Sequence, residues 1–249
     1  MINETAEGQM VIAQKPNNHL STRKRSSLRM LIAGVDEAGR GCVIGPLVIA
    51  GILIKKANLP ALKQLGVKDS KLLTAKKRET MLPQILSLAE SYHIIKLQPS
   101  EIDHVVDSGR KLHKLNRLEA ETMAQIINQL KPDEAQVDAA DVLEERFKHH
   151  IQERLTAKTI VTSKHKADRI YPAVSAASII AKVHRDNEIA AIATQHGDFG
   201  TGYLHDPKTM TFLKKWLRNN GEYPEFVRKS WKPAKKARSD NNTTQKTLV

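Results

Sequence analysis

Two kinds of hydrophobic pattern alternate along this chain of 249 residues. Short apolar runs bounded by polar or turn residues predict buried β-strands at 29–36, 46–54, 92–97, 135–137 and 159–162. Longer segments with apolar residues at helical spacing predict helices at 74–90, 112–130, 142–155, 175–194 and 207–218. A further helix is expected from Ser100 onward, and a last one is expected to begin near Pro224. Strands that alternate with helices indicate a layered α/β domain.

Local signals refine the ends of two of these helices. Thr74 is a candidate N-cap for the first helix, and Pro83 inside that helix predicts a kink or a break. Ser100 is a candidate N-cap for the next helix, with Asp103 three residues later as the short-chain form of a capping box.

The first predicted strand ends in two adjacent carboxylates, Asp36 and Glu37, which are followed by the turn Gly39-Arg40-Gly41. Two acids at the end of a buried strand are unfavourable unless positive charge offsets them. Hard divalent cations do so through oxygen ligands, so the pattern suggests metal-assisted attack on a phosphodiester. A solvated turn or a helix cap is the alternative interpretation of the same dipeptide.

Two more carboxylates follow predicted strands. Asp138 ends the run at 135–137, and Asp168 follows the run at 159–162. Because sites in open α/β sheets form beyond the strand ends, three strands would deliver four carboxylates to one end of the sheet. That set of oxygen ligands suits two Mg²⁺ or Mn²⁺ ions, completed by water and a substrate phosphate. The alternatives are a helix cap for Asp138, although Asp141 is the better candidate for that role, and a surface ion pair for Asp168.

Composition adds a preference for polyanionic partners. Lys and Arg number 40 against 27 Asp and Glu, so the formal net charge is +13, and the pI is about 9.8. This balance favours nucleic acid, although proteins that never bind nucleic acid can share it. The single cysteine, Cys42, excludes an intrachain disulfide and a zinc cluster built on thiolates. The apolar stretches are too short to span a bilayer and no signal peptide is evident, so the sequence predicts a cytoplasmic protein.

Three segments are candidates for holding a substrate. Gly39-Arg40-Gly41 offers a guanidinium group and bare backbone to an anion or a sugar. Ser70 and Lys71 can hold phosphates, although the same segment could be an Asx turn before the helix at 74–90. Tyr203 lies between glycines and polar residues in a loop, where its ring can stack on a base or a sugar.

Residues 1–28 show no hydrophobic periodicity, and the stretch from about Lys232 to Val249 is basic and then rich in Asn and Thr. Residues 1–28 predict a disordered basic arm, and residues 221–249 predict a C-terminal helical segment followed by a basic tail. We expect the basic ends to add nonspecific contacts to phosphates. The folded domain is therefore expected to occupy residues 29–220.

Further blocks occur in a fixed order between about residue 30 and residue 232. They are GVDEAGRG at 34–41, IGPLV at 44–48, KDSK at 68–71, EID at 101–103, Asn116 with Glu119, VD at 137–138, KAD at 166–168, VSAASIIAKVHRD at 174–186 and GTGY at 200–203. Together they resemble the ribonuclease HII family, the type 2 ribonucleases H, in its archaeal and eukaryotic branch. The chain departs from the usual family pattern at Cys42, in place of proline, and at Thr201 and Leu204 in the tyrosine loop.

The resemblance implies a ribonuclease H-like layered fold, with a central mixed β-sheet flanked by helices, a helical C-terminal portion, and a catalytic domain at 29–220. It implies an endoribonuclease that hydrolyses the RNA strand of RNA–DNA hybrids and incises 5′ of single ribonucleotides in duplex DNA. Two-metal-ion catalysis with Mg²⁺ or Mn²⁺ would give 5′-phosphate and 3′-hydroxyl ends. Such incision would belong to ribonucleotide excision repair.

The family pattern also implies roles for individual residues. The catalytic and metal-binding acids would be Asp36, Glu37, Asp138 and Asp168. The substrate-binding residues would be Gly39, Arg40, Gly41, Ser70, Lys71 and Tyr203. Within this set, residues 39–41 would contact the ribose 2′-hydroxyl, and Tyr203 would pack on the sugar at the RNA–DNA junction.

Two other interpretations stay open. A basic α/β module could bind hybrids without cleaving them, but only the enzyme requires all four acids to converge. A type 3 ribonuclease H usually carries an additional N-terminal substrate-binding domain, for which residues 1–28 are too short. We expect a monomer that binds RNA–DNA hybrids and ribonucleotide-containing duplex DNA, and no membrane.

Overall fold

A computed structural model describes residues 29–67, 73–108 and 114–232, together with residues 234, 235 and 238. Ser70 and Lys71 lie outside the described residues, and so do the predicted arm at 1–28 and nearly all of 233–249.

A mixed sheet of five strands forms the centre of the fold, in the order β3-β2-β1-β4-β5. The strands are β1 (Leu31–Ala38), β2 (Leu47–Lys55), β3 (Ser91–Leu97), β4 (Glu134–Asp138) and β5 (Ile160–Lys164). Strand β2 is antiparallel to both β1 and β3, whereas β1, β4 and β5 run parallel to one another. The C-terminal ends of β1, β4 and β5 therefore lie at the same edge of the sheet, as predicted.

Helices cover the sheet. They are α1 (Leu59–Gln64), α2 (Ala75–Leu88), α3 (Pro99–Asp107), α4 (Lys114–Leu130), α5 (Glu144–Gln152), α6 (Ala167–Ile170), α7 (Pro172–His196) and α8 (Pro207–Asn220). The predicted fold class, a central mixed sheet flanked by helices, is confirmed. Within the described part of the chain, no helix combines the length and the apolar character needed to cross a membrane.

The helix ends agree with some sequence signals and differ from others. Thr74 Oγ1 accepts a backbone N–H at 3.2 Å, so the predicted cap of α2 is confirmed. Helix α2 continues through Pro83 without the predicted break. The prediction of Ser100 as the cap of α3 is wrong, because Gln98 holds that position. The Glu101 carboxylate accepts the Gln98 N–H at 2.7 Å, which completes a capping box two residues earlier than expected.

Successive side chains along a strand point to opposite faces of the sheet, and β1 and β2 are buried on both of their faces. Ala33, Val35 and Ile49 pack in the cluster that includes α4 and α5. Ile32 and Ile52 pack in the cluster that includes α1, α2 and α7. Burial on two faces explains why the sequences of β1 and β2 are mostly continuous apolar runs rather than alternating ones.

A third apolar cluster joins the C-terminal part of the chain to the connection between β1 and β2. Its buried members include Val43, Ile44, Phe199, Leu213, Leu217, Tyr223 and Val227. Residues 224–228 form a turn and an isolated bridge between Val227 and Ile44, so the prediction of a helix near Pro224 is wrong. The C-terminal segment is thus attached directly beside the β1–β2 connection.

The start of helix α7 lies very close to β1 at Gly34. A Cβ atom at this position would lie 2.1 Å from the carbonyl carbon of Ala173, so a side chain is excluded there. This contact allows the backbone of α7 to lie directly on β1. Further along α7, Ser178 and Lys182 reach the acidic end of β1.

Candidate active site

Three of the four predicted acids meet at the C-terminal ends of β1 and β4. Val35 pairs with Val137 in the parallel ladder, which places Asp36 and Asp138 next to each other on adjacent strands. Together with Glu37, each offers one carboxylate oxygen, and these atoms all lie within 4.8 Å of one another. Such a group of oxygen donors matches what a hard divalent cation requires.

Backbone contacts fix two of these carboxylates. Asp36 is only 4% exposed, and its Oδ1 accepts the N–H of Glu37 at 2.7 Å. Asp138 Oδ1 accepts the N–H of Ala167 at 2.6 Å, at the start of α6. The interpretation of Asp36 and Glu37 as a solvated turn is therefore wrong.

Asp168 follows Ala167 in α6 and is buried, with 1% of its surface exposed, so its interpretation as a surface ion pair is wrong. Its negative charge contributes to the raised pKa of Asp36, which indicates that the two groups are near each other. Among the described residues, however, the group within 4.8 Å contains Asp36, Glu37 and Asp138 without Asp168. The structure thus brings three acids together and places the fourth beside them.

Burial dominates the electrostatics of the site. It raises the pKa of Glu37 well above its usual range, and the charges of Asp36, Glu119 and Asp138 add to the rise, whereas Arg40 opposes it. Burial also raises the pKa of Asp36, against the opposing charge of Lys182. Crowded and buried carboxylates of this kind are unfavourable in the ionised form unless a cation joins them.

Helix α7 supplies a positive charge and a hydroxyl group to this acidic end of the sheet. The Ser178 side chain makes a hydrogen bond with Asp36, and Lys182 lowers the pKa of Asp36 through its charge. Lys182 Nζ also donates to the Ser178 hydroxyl. Nothing in the sequence around Lys182 reveals that this side chain turns toward the acids.

The turn after β1 is held by a polar network. Arg40 Nε donates to both oxygens of Glu119, at 2.9 and 3.0 Å, and an Arg40 terminal nitrogen donates to Asn116 Oδ1 at 2.7 Å. Glu119 is fully buried, and burial raises its pKa to about 7 despite the opposing effect of Arg40. The Arg40 side chain keeps 38% of its surface exposed, so it can still reach a ligand.

Tyr203 lies on a loop that faces the same turn. Gly200 and Gly202 have φ angles of +75° and +77°, which glycine adopts without strain. The Arg185 guanidinium lies 4.9 Å from the centre of the Tyr203 ring, and Cys42 pairs with Tyr203 in an isolated bridge. The backbone bridge to Cys42 and the contact between the ring and Arg185 therefore hold Tyr203 beside the turn that follows β1.

These elements surround one cleft with a volume of about 380 Å³. It is lined by Asp36, Glu37, Ala38, Gly39, Arg40, Gly41, Arg78, Asp138, Lys182, Arg185, Asp186 and Tyr203. Of the predicted site residues, Asp168 does not line the cleft, and Ser70 and Lys71 lie outside the described residues.

Sequence reasoning missed Arg78, which lines the cleft and pairs with Asp186 at 2.8 Å. Arg78 follows two lysines in the sequence, and such a basic run does not indicate that one of its side chains turns inward. The pair joins α2 to α7 across 108 residues of chain. Only the tertiary contact identifies it as part of the site.

The donors fit a divalent cation. Glu37 Oε2 is buried and has no hydrogen-bond partner within the described residues. A buried carboxylate oxygen without a partner is costly, and a metal ion would satisfy it. The set consists of oxygen donors only, which favours Mg²⁺ or Mn²⁺ over zinc.

Comparison with known proteins gives consistent matches. The family model described as Ribonuclease HII matches residues 33–234. The Ribonuclease HII of Thermococcus kodakarensis is 47% identical over 209 residues, which cover 83% of this chain and 89% of that protein. The crystal structure of ribonuclease H2 from Pyrococcus horikoshii OT3 has a TM-score of 0.79 and 41% identity, covering 86% of this chain and 99% of that one. Bst-RNase HIII in complex with Mn²⁺ shares the fold, with a TM-score of 0.70 and 20% identity over 88% of this chain and 72% of that one.

Proposed function

The chain belongs to the ribonuclease HII family, and we propose that it cuts RNA–DNA hybrids and also incises duplex DNA on the 5′ side of a single embedded ribonucleotide. As a family member it is an endoribonuclease of ribonuclease H type 2 that acts on RNA–DNA hybrids. The observation that carries the proposal is the meeting of Asp36, Glu37 and Asp138 within 4.8 Å in a cleft flanked by cationic side chains.

We assign the metal-binding and catalytic roles to Asp36, Glu37, Asp138 and Asp168. When bound, two Mg²⁺ or Mn²⁺ ions would supply Lewis acidity at the scissile phosphate, activating water and stabilising the leaving 3′ oxygen. The buried Glu37 Oε2 and the crowded oxygens of the three-acid group support this assignment. The backbone N–H groups of Glu37 and Ala167 hold the Asp36 and Asp138 carboxylates in place for that task.

The cationic residues of the cleft would orient the phosphodiester. Arg40, Lys182 and Arg185 line the cleft around the acids, where they can attract a polyanion that the carboxylates alone would repel. The net charge of +13 supports the same preference for nucleic acid. Ser70 and Lys71 complete the proposed phosphate contacts.

Recognition of the ribonucleotide is assigned to Gly39, Arg40, Gly41 and Tyr203. Gly39 and Gly41 have no side chains and line the cleft beside the acids, so a ribose 2′-hydroxyl could approach the peptide groups of this turn. The Tyr203 ring would pack against the sugar at the RNA–DNA junction. We also propose that the protein is a monomer, that it is located in the cytoplasm and that it acts in ribonucleotide excision repair.

The test uses an end-labelled DNA duplex with one internal ribonucleotide, incubated with Mg²⁺ or Mn²⁺. We expect a single cut 5′ of the ribonucleotide, which leaves a 3′-hydroxyl and a 5′-phosphate, and no cut in EDTA or in the all-DNA duplex. Binding without cleavage would favour the binding module instead. A cut on the 3′ side would contradict the proposed mode of incision, even if continuous hybrids were cleaved.

A further inference from the structure

Arg228 is a fully buried arginine whose side chain donates to backbone carbonyl oxygens rather than to a carboxylate. Its terminal nitrogens donate to the Gly39 oxygen at 2.7 Å, to the Arg40 oxygen at 2.8 Å and to the Gly45 oxygen at 3.1 Å. In the described part of the chain it forms no salt bridge, although it is 0% exposed. Burying a guanidinium is costly, so the loop carbonyls that satisfy it must be held in a definite arrangement.

Cys42 acts on the same turn. Its Sγ–H donates to the Gly39 oxygen at 2.9 Å, and its backbone N–H donates to that oxygen at 3.3 Å. Arg228 also donates to Cys42 Sγ at 3.2 Å, so the thiol both donates and accepts. The Gly39 carbonyl therefore has donors from two side chains and one backbone group.

The C-terminal segment holds Arg228 in place. The Arg228 N–H donates to the Val43 oxygen at 2.8 Å, and the Phe226 oxygen accepts the Gly45 N–H at 2.9 Å. The Trp231 ring lies 5.0 Å from the guanidinium carbon, in a cation–π contact. The two backbone hydrogen bonds fix the position of residue 228, and the Trp231 ring and the loop carbonyls fix its guanidinium relative to the turn.

The planarity of the peptide bond converts these contacts into an effect on the cleft. The Gly39 oxygen shares a peptide plane with the Arg40 N–H, and the Arg40 oxygen shares one with the Gly41 N–H. No peptide bond in the described residues is cis, so each N–H points to the side opposite its carbonyl. Both N–H groups are therefore directed away from Arg228, on residues that line the cleft.

We propose, on the premise of the function proposed above, that Arg228 and Cys42 are positioning residues for ribonucleotide selectivity. They orient the N–H groups of Arg40 and Gly41, and this orientation sets the preference of the cleft for ribose over deoxyribose. Neither side chain lines the cleft, so both act through the turn. Their effect differs from that of the phosphate contacts, which hold DNA and RNA alike.

The test measures selectivity as the Ki of an all-DNA duplex, used as a competitor, divided by the KM of the same duplex with one ribonucleotide. For Arg228→Met we expect this ratio to fall about tenfold, because the Arg40 and Gly41 N–H groups lose the orientation that lets one of them bond to the ribose 2′-hydroxyl. The Ki of the all-DNA duplex should change little. Arg228→Lys keeps the charge but not the fork of donors, so its ratio should lie between the ratio of the wild type and that of Arg228→Met. Cys42→Ala should also lower the ratio, and Cys42→Ser, which keeps a donor and an acceptor, should restore it.

Two matched controls distinguish a positioning role from a general loosening of the third apolar cluster, which joins the C-terminal part of the chain to the β1–β2 connection. Leu217→Ala creates a cavity in that cluster, and Tyr223→Phe removes a hydrogen bond to the Ala234 oxygen at 3.3 Å. Both should keep the wild-type ratio. An unchanged ratio in Arg228→Met would overturn the inference, as would an equal loss in the controls.

If Arg228→Met does not fold, as judged by circular dichroism, the ratio in Arg228→Lys and Cys42→Ala decides the same question. A wild-type protein that neither cleaves nor prefers the ribonucleotide duplex would instead refute the proposed function. A selective wild type whose variants stay equally selective would refute only the positioning role.

Discussion

Arg40 donates through Nε to both carboxylate oxygens of Glu119, at 2.9 and 3.0 Å, although 79 residues separate them in the chain. Glu119 lies on α4 and is fully buried, whereas Arg40 belongs to the turn that follows β1. The pair therefore attaches the turn to the core of the domain. A carboxylate in this position acts on the cleft through the arginine that it holds.

Glu119→Gln should lower kcat/KM for a single-ribonucleotide duplex about tenfold, which corresponds to about 1.4 kcal/mol. Glutamine has one neutral oxygen to accept the Arg40 Nε–H, whereas the carboxylate accepts it through two charged oxygens. The wild-type rate should also fall below pH 7, since the pKa of Glu119 is about 7 and its protonated form is a weaker acceptor for Arg40. That limb of the pH profile should be absent from the variant. Glu121→Gln is the control, because Glu121 on the same helix pairs with arginines at the surface. Equal losses in both variants would contradict the assignment.

Asp138→Asn should abolish cleavage and leave binding of an RNA–DNA hybrid largely intact. The amide oxygen can still accept the Ala167 N–H, but the charge that a divalent cation requires is lost. Cleavage assays and fluorescence anisotropy with the same hybrid separate the two effects. Asp133→Asn, at the opposite end of β4, serves as the control because its side chain accepts the N–H of Leu31 far from the acids. Turnover by the Asp138 variant would remove this residue from the catalytic role.

Glu37→Gln should raise the free energy of unfolding of the metal-free protein at pH 8, because it removes a negative charge that is crowded against those of Asp36 and Asp138. The pKa of Glu37 is raised in the folded state, so between the ordinary value of 4.5 and the raised value this side chain holds more of its proton in the folded protein than in the unfolded chain. The contribution of Glu37 to stability therefore falls as the pH rises through this range, and the difference between the two proteins should vanish at acid pH.

Urea denaturation in EDTA measures this difference, and repeating it with Mn²⁺ tests the metal site. Mn²⁺ should stabilise the wild type and stabilise the variant less, since a ligand that binds the native state raises its stability. A variant less stable than the wild type in EDTA would show that Glu37 is held by favourable contacts instead of strained by its neighbours.

The convergence of the acids could be predicted because it depends on local information. Asp36 and Asp138 each follow an apolar run, and parallel strands bring such positions to one edge of the sheet. The strands themselves follow from continuous apolar sequence, which burial on both faces requires. The same rule predicts Asp168 as a fourth member of the group, but Asp168 lies on α6 and is outside the three acids that meet within 4.8 Å.

The surroundings of the acids could not be predicted in the same way. Arg228 lies in a basic run that is typical of a solvated face, yet it is fully buried under Trp231. Arg78 likewise turns inward from a lysine-rich helix to meet Asp186. Periodicity assigns a residue to a helix or strand, but these contacts depend on how separate elements pack, which no short segment of sequence encodes.

Tyr203 provides a test of the recognition loop that does not involve the acids. Tyr203→Ala should lower kcat/KM for a single-ribonucleotide duplex about tenfold or more, because ring stacking on a nucleotide contributes about 1–3 kcal/mol. Tyr203→Phe keeps the ring and its contact with Arg185 at 4.9 Å, so it should retain most of the activity. Tyr92→Ala, which removes an exposed ring on β3, is the matched control and should leave the kinetics unchanged. Thermal unfolding of each variant checks that the loop substitution leaves the fold intact, and a folded Tyr203→Ala protein with wild-type kinetics would exclude ring stacking from substrate recognition.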